Sequence, residues 1–228
     1  MIAGRFTAFM AFVVFSMALA MPAYAGTISA SATLTADNFY ALFHGTENGV
    51  TKVGRNETGS GGDPGTYNWS KPETFNFQMA PGDLIYVLAW DDGTVAQGLI
   101  GDFTIGGHKV STNTDDWEVY TPNVNGNTNG DLSDGVTLVN GFITDAANSG
   151  WKTIVDVLGH GDQPWGKIPG ISDNAQWIWG DALIGDSDPE YQLFRLNTAA
   201  VPVPEPAMFG MLAAGMLGLG IFRRRRTV

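Results

Sequence analysis

Hydroxyl and apolar residues alternate strictly along Thr27-Ile28-Ser29-Ala30-Ser31-Ala32-Thr33-Leu34-Thr35. Every even position in this stretch is apolar, and every odd position carries a hydroxyl group. Successive side chains of a β-strand point to opposite faces of a sheet, so a period of two predicts a strand with one packed face and one wet face. The stretch therefore predicts a β-sheet that covers an apolar core.

The segments that follow extend this prediction to a mainly β domain. Thr74 to Met79 alternates in the same way, whereas Leu84 to Trp90 is apolar at every position and suits a central strand covered on both faces. Further strands are predicted at Phe39 to Phe43, Gly98 to Ile105, Trp117 to Tyr120, Gln176 to Trp179 and Tyr191 to Leu196. Clusters of Gly, Asn, Asp and Pro separate these short strands, which is typical of a single antiparallel β-sandwich.

One short helix is predicted over Val136 to Ser149. Apolar residues recur there at intervals of four, Asp134 lies near the start, and Gly150 is placed to end the helix. Two long loops rich in Gly, Asn and Asp span Asn56 to Tyr67 and Asn123 to Gly135. We expect these loops at the ends of the sandwich, where binding functions usually lie.

The N-terminus carries the pattern of a secretory signal peptide. Arg5 precedes the apolar segment Phe6 to Met21, and Ala23 and Ala25 then form an Ala-x-Ala cleavage site that makes Gly26 the first residue of the mature protein. The predicted boundaries are 1–25 for the signal helix and 26–200 for the sandwich domain.

The C-terminus carries the pattern of a membrane segment. A rigid Val203-Pro204-Glu205-Pro206 precedes 16 uncharged residues, 207–222, and four arginines follow. A helix of this length spans roughly 24 Å, somewhat less than a bilayer core of about 30 Å. Positive charge stays in the cytoplasm, so the domain is expected outside. The predicted boundaries are 201–206 for the linker, 207–222 for the transmembrane helix and 223–228 for the cytoplasmic tail.

The order of Pro204-Glu205-Pro206, an apolar helix and Arg223-Arg224-Arg225-Arg226 resembles the C-terminal sorting signal of bacterial PEP-CTERM proteins. The resemblance implies recognition by an integral-membrane exosortase and removal of the helix during transfer to the cell surface or the extracellular polymer. The alternative is a plain tail anchor, which accounts for the helix and the arginines but not for the Pro-Glu-Pro run before them.

A second resemblance concerns the sandwich itself, which is similar to the galactose-binding-like jelly-roll domains of carbohydrate-binding and adhesive proteins. It is carried by Thr35 to Phe43, Trp69-Ser70-Lys71-Pro72-Glu73-Thr74-Phe75, Pro81-Gly82-Asp83 before Leu84 to Trp90, Gly98 to Gly101, and Asp173 to Trp179 with Tyr191 to Arg195. These pieces are framework, so the resemblance implies a jelly-roll-like fold more than a ligand.

Charge and cysteine content exclude several classes of function. Without Arg5, the four tail arginines and Glu205, 7 of the 12 basic and 22 of the 23 acidic residues remain, a net charge near −15 for the exported part. Nucleic-acid binding draws on clustered Lys and Arg, so no nucleic-acid partner is expected. The chain has no cysteine, which excludes thiol catalysis and Cys-based metal sites.

Sugar binding is the interaction that the loops favour. Aromatic faces beside amides and charged groups suit pyranose rings, which combine apolar C–H patches with hydroxyls. The candidates are Trp69 with Asn68 and Arg55, and Trp165 in the loop 161–166. For the rings of Trp69 and Trp165, a ligand site and a place in the core are equally favoured. Trp90, Trp177 and Trp179 lie in strand-like runs and are expected in the core.

The loop 125–131 resembles the first half of a calcium loop, in which oxygen ligands alternate and Gly permits a sharp turn. Its candidate ligands are Asn125, Asn127, Asn129 and Asp131. Asparagines replace the usual acidic ligands and Val136 stands where a bidentate Glu is required, so an ordinary Asn/Gly turn is favoured over Ca²⁺. No other cofactor is expected.

Catalytic motifs are almost absent from the sequence, and we expect that the protein is not an enzyme. The three histidines are far apart, and neither a Gly-x-Ser-x-Gly nor a His-Glu-x-x-His motif occurs. The leading hypothesis is an exported cell-surface or biofilm-matrix protein, held at the inner membrane before exosortase processing, that contacts exopolysaccharide or another glycan. The alternatives are a secreted glycoside-active enzyme, which needs only two carboxylates, and a purely structural matrix component.

Overall fold

Two antiparallel β-sheets and one short α-helix form the part of the protein that the computed structural model describes, residues 26–56, 67–185 and 189–197. The strands are β1 (Ile28–Asp37), β2 (Phe39–Thr46), β3 (Gly49–Arg55), β4 (Glu73–Met79), β5 (Leu84–Trp90), β6 (Gly98–Ile105), β7 (His108–Ser111), β8 (Trp117–Tyr120), β9 (Lys152–Thr153), β10 (Asp156–Gly159), β11 (Gln176–Trp179) and β12 (Gln192–Leu196). The helix, α1 (Gly135–Ser149), lies between β8 and β9 in the chain. The mainly β prediction is confirmed.

Strand β1 lies inside the first sheet, whose strand order is β10-β11-β6-β1-β4 with β7 paired to β6. Its predicted alternation is confirmed, because Leu34 is fully buried whereas Ser29 is exposed. The strand also continues two residues beyond the predicted end, and Thr35 and Asp37 on its hydroxyl face are buried. This end of the hydroxyl face is therefore covered by protein rather than by water.

The second sheet has the order β3-β2-β5-β12-β8-β9 and is covered on both faces at its centre. Odd-numbered side chains of β5 join a core shared with the first sheet, and even-numbered ones join a second core shared with α1. These are Ile85, Val87 and Ala89 on one face and Tyr86, Leu88 and Trp90 on the other. The first sheet and the helix thus cover opposite faces of the second sheet, as the continuous apolar run of β5 predicts.

The helix begins and ends where the sequence places its signals. The Asp134 carboxylate accepts a hydrogen bond from the Thr137 N–H at 3.1 Å, and the Gly150 N–H donates to the Ala146 carbonyl at 2.8 Å. The buried face of α1 consists of Gly135, Val139, Phe142, Ile143 and Ala146, whereas Ala147 is exposed. The helix prediction is confirmed, with its first residue one position earlier.

Four of the strands that the structure describes, β3, β7, β9 and β10, were not predicted from the sequence. Strand β3 lies at the edge of the second sheet and carries the exposed Thr51 and Lys52, while β7, β9 and β10 have two to four residues each. Edge strands bury little, so their composition shows neither clean alternation nor a continuous apolar run.

The three tryptophans expected in the core are confirmed there. Trp90, Trp177 and Trp179 expose no more than 1% of their surface, and Trp117 is buried to the same degree. Large aromatic side chains thus fill both cores, which is consistent with a domain that has no disulfide to stabilise it.

Leu34→Ala should test the core that β1 covers. Leu34 is fully buried between the sheets, so truncation removes apolar contact and leaves a cavity, and we expect the free energy of unfolding to fall by about 2 to 5 kcal/mol. Ser31→Ala, on the other face of the same strand, should change it by less than about 0.5 kcal/mol. Urea denaturation measures both, and equal effects would contradict the assignment of the packed face.

Candidate functional site

An open cleft of about 480 Å³ lies between the loop that leads from β8 into α1 and the residue before β12. Its lining combines amides, hydroxyls, carboxylates and a few apolar side chains. The lining residues are Asn125, Gly126, Asn127, Asp131, Leu132, Ser133, Asp134, Thr137, Leu138 and Tyr191. The sequence predicts that this loop lies at an end of the sandwich, where binding functions are common, and the cleft lies at this loop.

Backbone pairing with the segment before β12 holds one side of the cleft loop. The Gly126 N–H donates to the Pro189 carbonyl at 2.6 Å, and the Tyr191 N–H donates to the Val124 carbonyl at 2.9 Å. Tyr191 is buried and packs against the second core, so it forms a firm floor for the cleft.

Trp90, the last residue of β5, anchors the same loop from below. Its indole Nε1–H donates to the Asn127 carbonyl at 3.1 Å. Gly126 lies directly over the indole ring, because a Cβ at this position would approach Trp90 Cγ to 2.6 Å. Only glycine permits this close approach, so the loop is fixed to the end of a core strand.

Two of the asparagines predicted as calcium ligands, Asn127 and Asn129, accept hydrogen bonds from the loop's own backbone. Asn127 Oδ1 accepts from the Asn129 N–H at 3.2 Å, and Asn129 Oδ1 accepts from the Asp131 N–H at 3.0 Å. This is the ordinary turn chemistry of Asn, which the sequence also favoured. Within residues 26–56, 67–185 and 189–197, no three His, Cys, Asp or Glu side chains come together as a metal-binding group. Calcium binding, including any role of Asn125, stays a prediction.

Arg55 lies against the back of the cleft loop. Its Nη1 donates to the Gly130 carbonyl at 3.2 Å, and the Tyr67 hydroxyl lies 3.5 Å from the same oxygen. Gly130 has a positive φ of 80°, and a Cβ there would approach the Tyr67 ring to 2.5 Å. Arg55 therefore supports the loop, and it is not one of the residues that line the cleft.

The other two members of this predicted sugar site have structural partners. Asn68 Oδ1 accepts hydrogen bonds from the Ser70 N–H at 2.9 Å and from the Ser70 hydroxyl at 2.6 Å. The Trp69 ring is partly buried and packs against the core between the sheets. Neither residue lines the cleft, and sugar binding by them stays a prediction.

Trp165 occupies the core rather than a ligand surface, which corrects its candidacy as a sugar platform. The ring exposes 4% of its surface and stacks on Trp177 with centroids 4.2 Å apart. Its Nε1–H donates to Asp37 Oδ2 at 2.7 Å. A ring that binds sugar must leave one face open, and the Trp165 ring does not. Through Trp165, the loop 161–166 instead covers the end of β1.

The Asp37 carboxyl beneath Trp165 has an altered acidity. Burial raises its pKa from 3.8 to about 6, the hydrogen bond from Trp165 lowers it in part, and the negative charges of Asp91 and Asp92 raise it further. Burial also raises the pKa of Asp91, against hydrogen bonds from the Thr94 and Gly93 N–H groups.

Comparison with known families identifies the C-terminal segment. The PEP-CTERM protein-sorting motif matches residues 202–226. The chain carries a PEP-CTERM sorting signal. This signal implies export, membrane-associated sorting and processing by an exosortase-type enzyme. No curated protein and no solved structure was found to match the chain.

The sorting signal and the predicted signal peptide lie outside the described residues. This applies to the predicted cleavage residues Ala23 and Ala25, the predicted helix 207–222 and the motif residues Pro204, Glu205, Pro206 and Arg223 to Arg226. In the part of the chain that the structure describes, no helix has the length and apolar character that crossing a membrane requires. Gly26, the predicted first mature residue, is exposed.

Several lining residues of the cleft carry no sequence signal of their own. Ser133 is a turn residue before the helix cap, Thr137 and Leu138 belong to an ordinary first helical turn, and Tyr191 belongs to a predicted strand. Only the tertiary pairing of the loop with the segment before β12 brings them together. The predicted loop 123–135 and the Asp134 cap were the sequence signals that pointed to this end of the helix.

Asp37→Asn should reveal the raised pKa of Asp37 as a dependence of stability on pH. Between about pH 4 and pH 6 the folded domain binds a proton at Asp37 that the unfolded chain has released, so this carboxyl destabilises the fold increasingly as pH rises. Relative to that of the unaltered domain, the free energy of unfolding of Asp37→Asn should rise by up to about 3 kcal/mol between pH 4 and pH 7. Urea denaturation at several pH values measures this gain.

The control for this measurement is Asp115→Asn, which removes one exposed negative charge from the same domain. A difference between Asp37→Asn and the unaltered domain that stays constant over this pH range, or that Asp115→Asn reproduces, would contradict the assignment to Asp37.

Proposed function

We propose that the exported domain is a non-enzymatic surface or matrix protein whose cleft binds a glycan of the extracellular polymer. The observation that carries this proposal is the lining of the cleft beside α1. Its amide, hydroxyl and carboxylate groups stand next to apolar side chains and the floor residue Tyr191. Its volume of about 480 Å³ falls within the range of small-molecule sites, so one or two sugar rings fit its size.

The lining matches both parts of a sugar ring. Ser133 and Thr137 offer hydroxyls that can donate or accept, and Asn125 offers an amide. The apolar side chains of Leu132 and Leu138 suit the C–H patches between sugar hydroxyls. The polar residues Asn125, Ser133 and Thr137 are exposed, Leu132 and Leu138 are half-buried, and the cleft is open, which suits a segment of a long polymer rather than an enclosed small ligand.

The sorting signal supports this location for the ligand. A PEP-CTERM signal implies export and exosortase processing, and we propose that the helix 207–222 holds the protein in the inner membrane only until that step. The domain would then reach the cell surface or the biofilm matrix. The jelly-roll-like architecture proposed for the two sheets is compatible with a carbohydrate-binding role.

A glycoside-active enzyme is the second candidate, because Asp131 and Asp134 both line the cleft and glycosidases use two carboxylates. Asp134 Oδ1 accepts the Thr137 N–H and thereby caps α1. A carboxylate that holds a helix end is poorly placed to change its protonation in each turnover. We therefore propose binding without hydrolysis.

Ser133→Trp tests the cleft as the glycan site. Ser133 is exposed and lines the cleft, so an indole there should fill it and lower glycan affinity at least about tenfold without changing the net charge. Ser149→Trp, at the other end of α1, places the same side chain on exposed surface and should leave affinity unchanged. Glycan-array screening followed by calorimetry on the best hit provides the measurement.

Three outcomes contradict the proposal in different ways. Equal affinity for both variants would move the site elsewhere, and absence of binding to every glycan would favour a purely structural matrix component. Release of reducing ends from a bound glycan, lost in Asp131→Asn, would favour the enzyme.

Replacing Pro204, Glu205 and Pro206 by alanine separates exosortase processing from plain tail anchoring. The change leaves the apolar segment and all four arginines in place, so a plain anchor should behave as before. With exosortase processing, the unaltered protein should lose residues 207–228 and reach the cell exterior, whereas the variant should stay intact in the membrane fraction. Intact-mass measurement of both fractions checks this, and an uncleaved tail on the unaltered extracellular protein would contradict it.

A further inference from the structure

Among the described residues that line the cleft, the charged side chains are the carboxylates Asp131 and Asp134. They stand among amides, hydroxyls and apolar groups, and this described lining includes no Lys or Arg. Both are exposed in the open cleft, so a ligand meets them directly. The Asp131 charge also acts on the floor of the cleft, where it adds to the effect of burial in raising the pKa of Tyr191.

Arg55, a basic residue next to this loop, contacts the loop backbone instead of lining the cleft. Arg55 Nη1 donates to the Gly130 carbonyl, one residue before Asp131, and Gly130 itself is buried. Arg55 is partly buried behind the loop and does not line the cleft. Its positive charge therefore supports the loop backbone, while the surface that a ligand meets carries negative charge.

In the turn at Asp131, the backbone N–H of this residue makes the loop hydrogen bond, and its carboxylate lies at an exposed position. The Asp131 backbone N–H donates to Asn129 Oδ1, and the side chain extends from an exposed position. A hydrogen bond from an ammonium group to a carboxylate is shorter and stronger than one between neutral groups. A carboxylate of a ligand would instead meet like charge, which costs affinity.

We propose that the cleft selects glycans that carry protonated amino groups, such as polymers of glucosamine, over neutral and uronic-acid glycans. The inference rests on the proposed glycan-binding function and adds the chemical class of the glycan. The amides and hydroxyls of the lining hold the sugar ring, and Asp131 pairs with the ammonium group. Because the pair is open to solvent, salt weakens it.

The overall acidity of the domain offers a competing explanation for any preference for cationic sugars. The exported part has a net charge near −15, so its whole surface attracts cations. A matched pair of variants separates the two effects. Asp131→Asn and Asp115→Asn each remove one exposed charge from a loop, and in both loops the Asp N–H donates to an Asn two residues earlier, at 3.0 Å and 2.8 Å.

The experiment measures by calorimetry the affinity of the exported domain for three oligosaccharides of equal length, made of glucosamine, N-acetylglucosamine or a uronic acid. The measurements are made at about pH 6, where the sugar amines are protonated, and at low and high salt. We expect the glucosamine oligosaccharide to bind at least about fivefold more tightly than the acetylated one at low salt, and the uronic-acid one to bind least. High salt should reduce the first difference.

The variants decide where the preference arises. Asp131→Asn should lower the affinity for the glucosamine oligosaccharide at least about threefold and change that for the acetylated one by less than about twofold, whereas Asp115→Asn should preserve the preference. Equal affinities for all three sugars, or the same loss in both variants, would overturn this inference and leave glycan binding intact. Absence of binding by every sugar, or binding that Ser133→Trp does not weaken, would overturn the proposed function and this inference with it.

Discussion

The second sheet must be covered on both faces, and the rest of the described structure follows from this constraint. Strand β5 is apolar at every position, and seven successive apolar residues cannot leave one face to water without a large loss of hydrophobic stabilisation. The first sheet covers one face, and α1 covers the other. Helix α1 is thus a requirement of the core of this β domain and not an insertion.

The position of the helix in turn creates the cleft. Asp134 caps the start of α1 at an exposed position, and the chain that leads into the helix crosses the end of β5. Trp90 ends that strand, contributes to the second core and donates its indole N–H to the crossing loop. The side chain of Trp90 therefore joins the second core to the loop that shapes the cleft.

Elements with strong periodicity could be read from the sequence, whereas contacts between distant segments could not. The alternation in β1 and β4, the apolar run of β5 and the cap signals of α1 each follow from local side-chain chemistry. The burial of Trp165 could not be predicted, because its loop has the composition of an exposed Gly/Pro turn. Its hydrogen-bond partner Asp37 is buried and lies 128 residues away in the sequence. The cleft was anticipated as a loop, but Tyr191 joins it only through tertiary pairing.

Charge connects the sorting signal with the domain that it carries. In the topology that we propose, the four arginines of the tail lie at the cytoplasmic side before processing, where anionic lipids attract them. The exported domain has the opposite sign, with a net charge near −15, so an anionic membrane surface repels it. After the removal of the tail that we propose, the attraction of its arginines to the membrane is lost. The acidity of the domain favours the proposed binding of a polymer that is neutral or positively charged, and the carboxylates in the described lining of the cleft favour a positively charged one.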